Sequence, residues 1–312
     1  MTTPSDPPAP LTPAQQDAAF RPSHTPATPW PALAQALAGA GIAAHVHGAA
    51  PADGVTGVSL DSRVVRPGDL YVAVPGARAH GAAFAATALE AGAVGVLTDA
   101  AGRALLAEQG LADVPVLEVD AVRTAAGTVA ARVYGGGGDA GPRLVGVTGT
   151  NGKTTTSFLA AALLEALGRR SGIVGTILIR AGEREVPSTL TTPEATQLHA
   201  LMALMREEEV DTAVMEVSSH AVAYQRIAGL RYAVAGFTNL TQDHLDMHGS
   251  MQEYFAAKAG LFDPARTDHA VITLDGGEGP PLGRRHGPGR RRSRHHARPR
   301  AGRADAGRPG RT

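Results

Sequence analysis

The chain has 312 residues, 43% apolar and 19% charged, enough for two domains with substantial cores, and no run of 18 apolar residues that could insert in a membrane. It has no cysteine, which excludes disulfides, thiolate metal sites and thiol nucleophiles, and no basic-then-apolar leader, so a cytoplasmic location is expected. The formal charge is zero, yet residues 276–312 carry 11 Arg against Glu278 and Asp305, which leaves 18 basic and 27 acidic residues in the chain before them.

Residues 1–31 hold 9 of the 22 prolines, with Ala, Thr and Ser, a composition that buries little and predicts disorder. Residues 32–140 read as a small α/β domain. A helix is expected over 31–42, a strand over 55–62 and a short apolar strand over 69–76 ending at Pro75-Gly76. Residues 84–99 read as helix, glycine stop and strand, and 114–120 and 121–135 repeat strand then helix. Residues 135–141, four of them consecutive glycines, read as a flexible linker.

Residues 141–275 alternate more sharply. A strand over 143–149 leads to a helix over 154–168 stopped by Gly168, then a strand over 171–179. A helix over 192–208 starts with a Thr192 cap and Pro193 in its first turn. Strands over 211–217 and 232–240, a helix over 250–262 and a strand over 269–275 complete the pattern. Apolar strands of this kind suit a buried parallel sheet. The expected fold class is therefore α/β: a small N-terminal α/β domain, then an incomplete parallel-sheet domain with a phosphate loop and helices on both faces. Residues 276–312 are Gly, Pro and Arg with one Leu and no aromatic, from which no core can be built. They read as a disordered basic tail or as a shifted reading frame. The second is favoured, because the compositional bias persists while all periodicity is lost. A nucleic-acid-binding tail is a third reading and would bind in a salt-dependent, non-specific way; no nucleic-acid partner is expected.

The strongest chemical signal is Gly149-Thr150-Asn151-Gly152-Lys153-Thr154-Thr155, between a strand and a helix. Glycines let backbone N–H groups turn inward around phosphate oxygens, and the new helix points its positive end at them. Lys153 can reach the β- and γ-phosphates and the Thr154 hydroxyl can ligate Mg²⁺. The common GxxxxGK[ST] spacing is not met, since its first Gly would fall at Val147; the tighter GxxGKT stands instead. A glycine turn with an exposed lysine is the bland alternative, but strand, loop, Lys-Thr and helix all occur in the required order. ATP or another nucleoside triphosphate is expected.

Only two of the 29 basic residues are Lys, Lys153 and Lys258. A chain that uses Arg wherever positive charge suffices marks these as places where Arg will not serve. Lys258 shares a helical stripe with Tyr254, Leu261 and Phe262. It reads as a snorkelling side chain, or as a desolvated amine able to react with carbon dioxide. Glu216, at the carboxyl end of a strand, reads as a Mg²⁺ ligand beside the nucleotide phosphates or as a solvated acid.

The string Thr148–Thr155 resembles the ATP loop of the Mur ligase family, whose members join an amino acid to a carboxylate through an acyl phosphate. The segments 59–73, 189–193, 215–220, 238–246 and 253–262 extend the resemblance over residues 55–275. It implies a magnesium ligand at Glu216, a ligand of a second Mg²⁺ at His244, and a carbamylated Lys258 holding that second ion. Lys153, Lys258 and His244 are then the catalytic set. It also implies substrate contacts at Ser218 and Arg226, at Thr191 and Thr192 for the peptide end, and at Ser62 for the uridine nucleotide. Leu190 stands where some members have Asn, and Thr192 can also cap a helix. The implied activity is ATP-dependent addition of the third amino acid, diaminopimelate, to UDP-N-acetylmuramoyl-L-alanyl-D-glutamate in peptidoglycan synthesis, by a monomer. Family members continue further, into a domain that holds the incoming amino acid, so the chain is expected to be C-terminally truncated. An inactive nucleotide-binding fragment is one alternative. Another ligase with the same loop, of folylpolyglutamate or cyanophycin type, is a second, disfavoured by the motif around Ser62.

Overall fold

The computed structural model describes residues 12–135, 141–186, 188–243 and 245–273. His244 and the tail 276–312 lie outside the described residues. The described chain opens with α1 (Pro13–Phe20). Thr12 and Gln15 cap it reciprocally: the Gln15 N–H donates to Thr12 Oγ1 and the Thr12 N–H to Gln15 Oε1. Pro13, one of the prolines that suggested disorder, sits in the first turn, where its missing N–H costs nothing. The expectation of disorder is thus corrected over residues 12–31, where Phe20 and Trp30 are also buried.

The first domain contains α2 (Trp30–Gly39), β1 (Ala44–His47), β2 (Gly57–Ser59), β3 (Asp69–Val72), α3 (Ala85–Glu90), β4 (Gly95–Thr98), α4 (Ala100–Glu108), β5 (Val116–Val119) and α5 (Val122–Tyr134). Its sheet has the order β1-β5-β4-β3-β2, parallel except for β1. One core gathers Trp30, Leu33 and Leu37 of α2 with Val129 and Val133 of α5. A second gathers Ala85 and Ala88 of α3 with Leu106 of α4.

The second domain contains β6 (Arg143–Thr148), α6 (Lys153–Ala166), β7 (Ser171–Val174), β8 (Ile179–Ala181), β9 (Arg184–Val186), α7 (Ala195–Glu207), β10 (Thr212–Glu216), α8 (Ser219–Ala223), β11 (Tyr232–Phe237), α9 (Leu245–His248), α10 (Met251–Ala259) and β12 (Thr267–Ile272). Its sheet runs β12-β11-β6-β10-β7-β8-β9. The first five strands in that order are parallel, and β8 and β9 are antiparallel additions. The single strand expected over 171–179 therefore breaks: the Gly175 N–H donates to Leu178 O at 3.0 Å and reverses the chain into β8. The α7 helix starts at Ala195 with Glu194 as its cap, not at Thr192. Ten of its residues are buried, and each fully buried Leu or Met contributes about 1.5–3 kcal/mol. The α/β class holds for both domains. No helix among the described residues is long and apolar enough to cross a membrane.

The two domains share a seam. Ala200 and Ala203 of α7 belong to the core of the first domain. Gly127 of α5 lies so close to Ala228 that a Cβ there would sit 2.5 Å from Ala228 O.

Candidate functional site

The sheet order gathers the site. β6 lies between β10 and β11, with Glu216 opposite Val147 and Phe237 opposite Thr148. Three strand ends thus open at one carboxyl edge: the glycine loop after β6, Glu216 ending β10, and Thr238-Asn239 after β11. Ligands of open parallel sheets bind at such an edge.

Backbone contacts fix the loop. Asn239 O accepts the Thr150 N–H at 3.0 Å, and Asn239 Oδ1 accepts the Asn151 N–H at 2.9 Å. The Thr150 hydroxyl turns inward, donating to Thr241 O at 3.1 Å and lying 3.2 Å from Tyr254 Oη. Thr150 therefore braces the loop through its side chain. Gly149 has φ 148° and no space for a Cβ, which would meet Thr238 Oγ1 at 1.9 Å. Gly152 caps α6 with φ 85°, a left-handed conformation that favours glycine. The first bond of the α6 ladder is Thr156 N–H to Gly152 O, so the amides of Lys153, Thr154 and Thr155 precede it and can face an anion.

Both lysines converge on this loop. Lys153 Nζ donates to Gly149 O at 2.9 Å and Thr150 O at 2.8 Å. Lys258 Nζ, at 1% exposure, donates to the same Gly149 O at 2.8 Å and lies 4.4 Å from the Tyr254 ring centroid. Burial lowers the pKa of Lys153, against the pull of Glu216 and Asp243. Burial, and then the Lys153 ammonium, bring Lys258 down to about 7, with Asp243 opposing.

Glu216 is buried at the loop mouth. Its Oε2 accepts from the Thr154 hydroxyl at 2.9 Å, and its Oε1 from the Thr176 N–H at 3.1 Å. A Cβ on Gly175 would meet Glu216 Oε1 at 2.3 Å, so the turn after β7 keeps glycine where the carboxylate packs. From Glu216 a line of hydroxyls leads away. Thr176 Oγ1 donates to Thr191 Oγ1 at 3.0 Å. Thr192 Oγ1 donates to Glu216 O at 2.9 Å and accepts the Ser218 N–H at 3.2 Å. Arg226 is held by Glu194 at 2.8 Å and donates to Thr192 O at 3.4 Å. The Ser218 hydroxyl caps α8 by accepting the Ala221 N–H at 3.1 Å.

The segment 189–197 continues into a cleft of about 280 Å³ between the domains, lined also by α1 and by residues 59–64. Ser62 is buried in the turn that forms that wall, whereas Ser59, Asp61 and Arg63 line the cleft directly. The structure thus joins Gly149–Thr155, Glu216, Lys258, Thr191, Thr192, Ser218 and Arg226 into one connected region, with Ser62 across the cleft. Sequence reasoning missed Gly175, Thr176, Asn239, Asp243 and Tyr254. Asn239 and Asp243 stand in the segment already singled out, and their position just beyond a strand end was the usable signal.

The donor set can be tested against a divalent cation. Among the described residues no three His, Asp or Glu come together. The protein would offer the Glu216 carboxylate and the Thr154 hydroxyl, with phosphate oxygens and waters completing the shell. That is how Mg²⁺ is usually held, and the two side chains already lie side by side within hydrogen-bond distance. The residues fit the ion. The Lys258 amine is buried and its pKa is brought down to about 7, so part of it is in the neutral form that carbon dioxide requires.

Two family descriptions match the chain: "Mur ligase family, catalytic domain" over residues 54–134 and "Mur ligase middle domain" over residues 147–280. A relative from Streptomyces avermitilis, named UDP-N-acetylmuramoyl-L-alanyl-D-glutamate–2,6-diaminopimelate ligase, is 46% identical over 82% of this chain and 48% of its own length. One from Leifsonia xyli, named UDP-N-acetylmuramyl-tripeptide synthetase, is 49% identical over the same shares. A solved structure of a UDP-N-acetylmuramoyl-L-alanyl-D-glutamate–2,6-diaminopimelate ligase superposes with a TM-score of 0.60 at 31% identity, over 72% of this chain and 44% of that one. The chain spans about half the length of the curated relatives it matches.

Proposed function

This chain belongs to the Mur ligase family, and from that premise we propose that it carries the uridine-substrate and ATP sites of the ligase that adds the third amino acid to UDP-N-acetylmuramoyl-L-alanyl-D-glutamate. The observation that carries the reading is the continuous path from the Thr154–Glu216 pair, through Thr176 and Thr191, into the cleft beneath the turn of Ser62. A substrate whose uridine end lies in the cleft has its peptide carboxylate directed along Thr191 and Thr192 toward the phosphate loop.

In this reading the γ-carboxylate of the substrate attacks the γ-phosphate of ATP, forming an acyl phosphate and releasing ADP. Lys153 and the amides of the first turn of α6 stabilise charge on the transferring phosphoryl group. Glu216 and Thr154 would hold one Mg²⁺, and a carbamate on Lys258 together with His244 a second; the ions supply counter-charge to the phosphates. The amine of the incoming amino acid then attacks the acyl carbon and releases phosphate. We assign diaminopimelate as that amino acid because the Streptomyces avermitilis relative is named for it. Because the proposed substrates are nucleotide-linked, we assign the reaction to the cytoplasm.

The test is calorimetric titration with a non-hydrolysable ATP analogue in Mg²⁺ and, separately, with UDP-muramoyl-dipeptide and with a folate. Binding of the first two and not the third is expected. Lys153→Ala should weaken the nucleotide roughly ten- to a hundred-fold, the value of a charge-assisted hydrogen bond. Folate binding, or indifference of Lys153→Ala to the nucleotide, would overturn the reading.

A further inference from the structure

The N-terminal segment touches both domains within eight residues. Toward the first domain, Arg21 makes a two-pronged ion pair with Asp69, both contacts at 2.7 Å, and its Nε meets Asp17 at 2.8 Å. The Arg21 side chain is 9% exposed and that of Asp69 is 1% exposed. Asp69 Oδ2 also accepts the Arg66 N–H at 2.9 Å. Gly57 of β2 packs on the pair so closely that a Cβ would meet Asp69 Oδ1 at 2.1 Å and Arg21 Nη1 at 2.7 Å. Toward the second domain, Phe20 is buried in the core of that domain. The Glu207 carboxylate, at the end of α7, accepts from the Ser23 N–H at 2.8 Å, the Ser23 hydroxyl at 3.0 Å and the His24 N–H at 3.3 Å.

The same segment is a wall of the interdomain cleft. Pro13, Gln16 and Asp17 line it from one side, Ser59, Asp61 and Arg63 of the Ser62 turn from a second, and Thr189, Leu190 and Glu194 from a third. The turn carrying Ser62 follows β2 directly, and β2 is seated on the Arg21–Asp69 pair. A buried ion pair of this kind is held only when fully formed, because a half-paired buried charge is strongly unfavourable. The contact therefore has one geometry, and that geometry sets where the turn stands.

We propose that residues 12–24 form a clasp that fixes the first domain against the ATP domain and completes the cleft for the uridine-linked substrate, with Arg21 as a positioning residue. The identity of the ligand rests on the function proposed above; the clasp does not. The experiment uses the full chain and three variants, Arg21→Ala, Arg21→Lys and Glu207→Gln. Each is titrated with UDP-muramoyl-dipeptide and with Mg²⁺ plus ATP analogue, and followed by hydrogen exchange without ligand. Arg21→Ala should lose about tenfold or more in affinity for the uridine-linked substrate, with nucleotide affinity within about twofold of the parent, since misplacement by an ångström has effects of this size. Arg21→Lys, unable to make the two-pronged contact, should recover only part. Glu207→Gln leaves the buried pair intact and should speed exchange over 12–24, so it decides the matter if Arg21→Ala does not fold. Unchanged exchange in Glu207→Gln, or unchanged substrate affinity in a folded Arg21→Ala, would overturn the clasp. A parent chain that binds nucleotide but not UDP-muramoyl-dipeptide would overturn the positioning role and the substrate assignment, while the exchange measurements would still judge the clasp.

Discussion

His199 shows how a single buried side chain sets a pH limit on this fold. Its Nε2 lies 2.9 Å from Ala228 O, and burial holds its pKa at about 4 against an ordinary 6.5. Between those values the unfolded chain binds a proton that the folded chain refuses, so stability rises with pH through the window and is lost as pH falls through it. The span is worth about 3 kcal/mol. Denaturant unfolding from pH 4 to 7 should show that loss in the parent and a flatter profile in His199→Gln. The two lysines proposed for catalysis are more legible than this one. Lys153 and Lys258 stood out because the chain otherwise uses Arg, and both reach the same carbonyl oxygen. Thr176 carried no such mark. Its role arises because β7 and β10 are neighbours in the sheet, and a crossover of that length leaves no local pattern.

At the scale of elements, the turn after β7 packs directly against the carboxylate proposed to hold Mg²⁺. A Cβ on Gly175 would displace the Glu216 carboxylate, which is itself packed under Thr154 and Thr176. Gly175→Ala should therefore weaken Mg²⁺-dependent nucleotide binding by about tenfold, an effect of roughly 1.4 kcal/mol. Titration with and without Mg²⁺ checks it, and a loss equal in both would count against Glu216 as a metal ligand. The sequence pattern revealed β6, α6, α7, β10 and β11 because their apolar runs are long. It concealed the β8–β9 hairpin, whose three-residue strands are too short for an alternation to register. It also concealed α1, where proline content outweighed the Thr12-x-x-Gln15 capping signature.

For the whole molecule, the seam between α5 and α7 ties the two cores together, because α7 contributes to both. Gly127→Ala gains about 1 kcal/mol in helix propensity, but its methyl would meet the backbone of Ala228, which cannot give way. Overpacking of this kind costs about 1–3 kcal/mol, so a net loss of stability is expected. Scanning calorimetry should show one transition over both domains, lowered by several degrees in Gly127→Ala; two separate transitions would show that the seam does not couple them. The scarcity of lysine has a chemical corollary. Reagents that acylate primary amines will find, besides the terminal amine, only Lys153 and the far less accessible Lys258, while the other 27 of the 29 Lys and Arg residues carry unreactive guanidinium groups. A mass tag localised to a lysine of this chain is thus a reporter of the phosphate loop, and protection of that lysine would follow nucleotide occupancy without any engineered label.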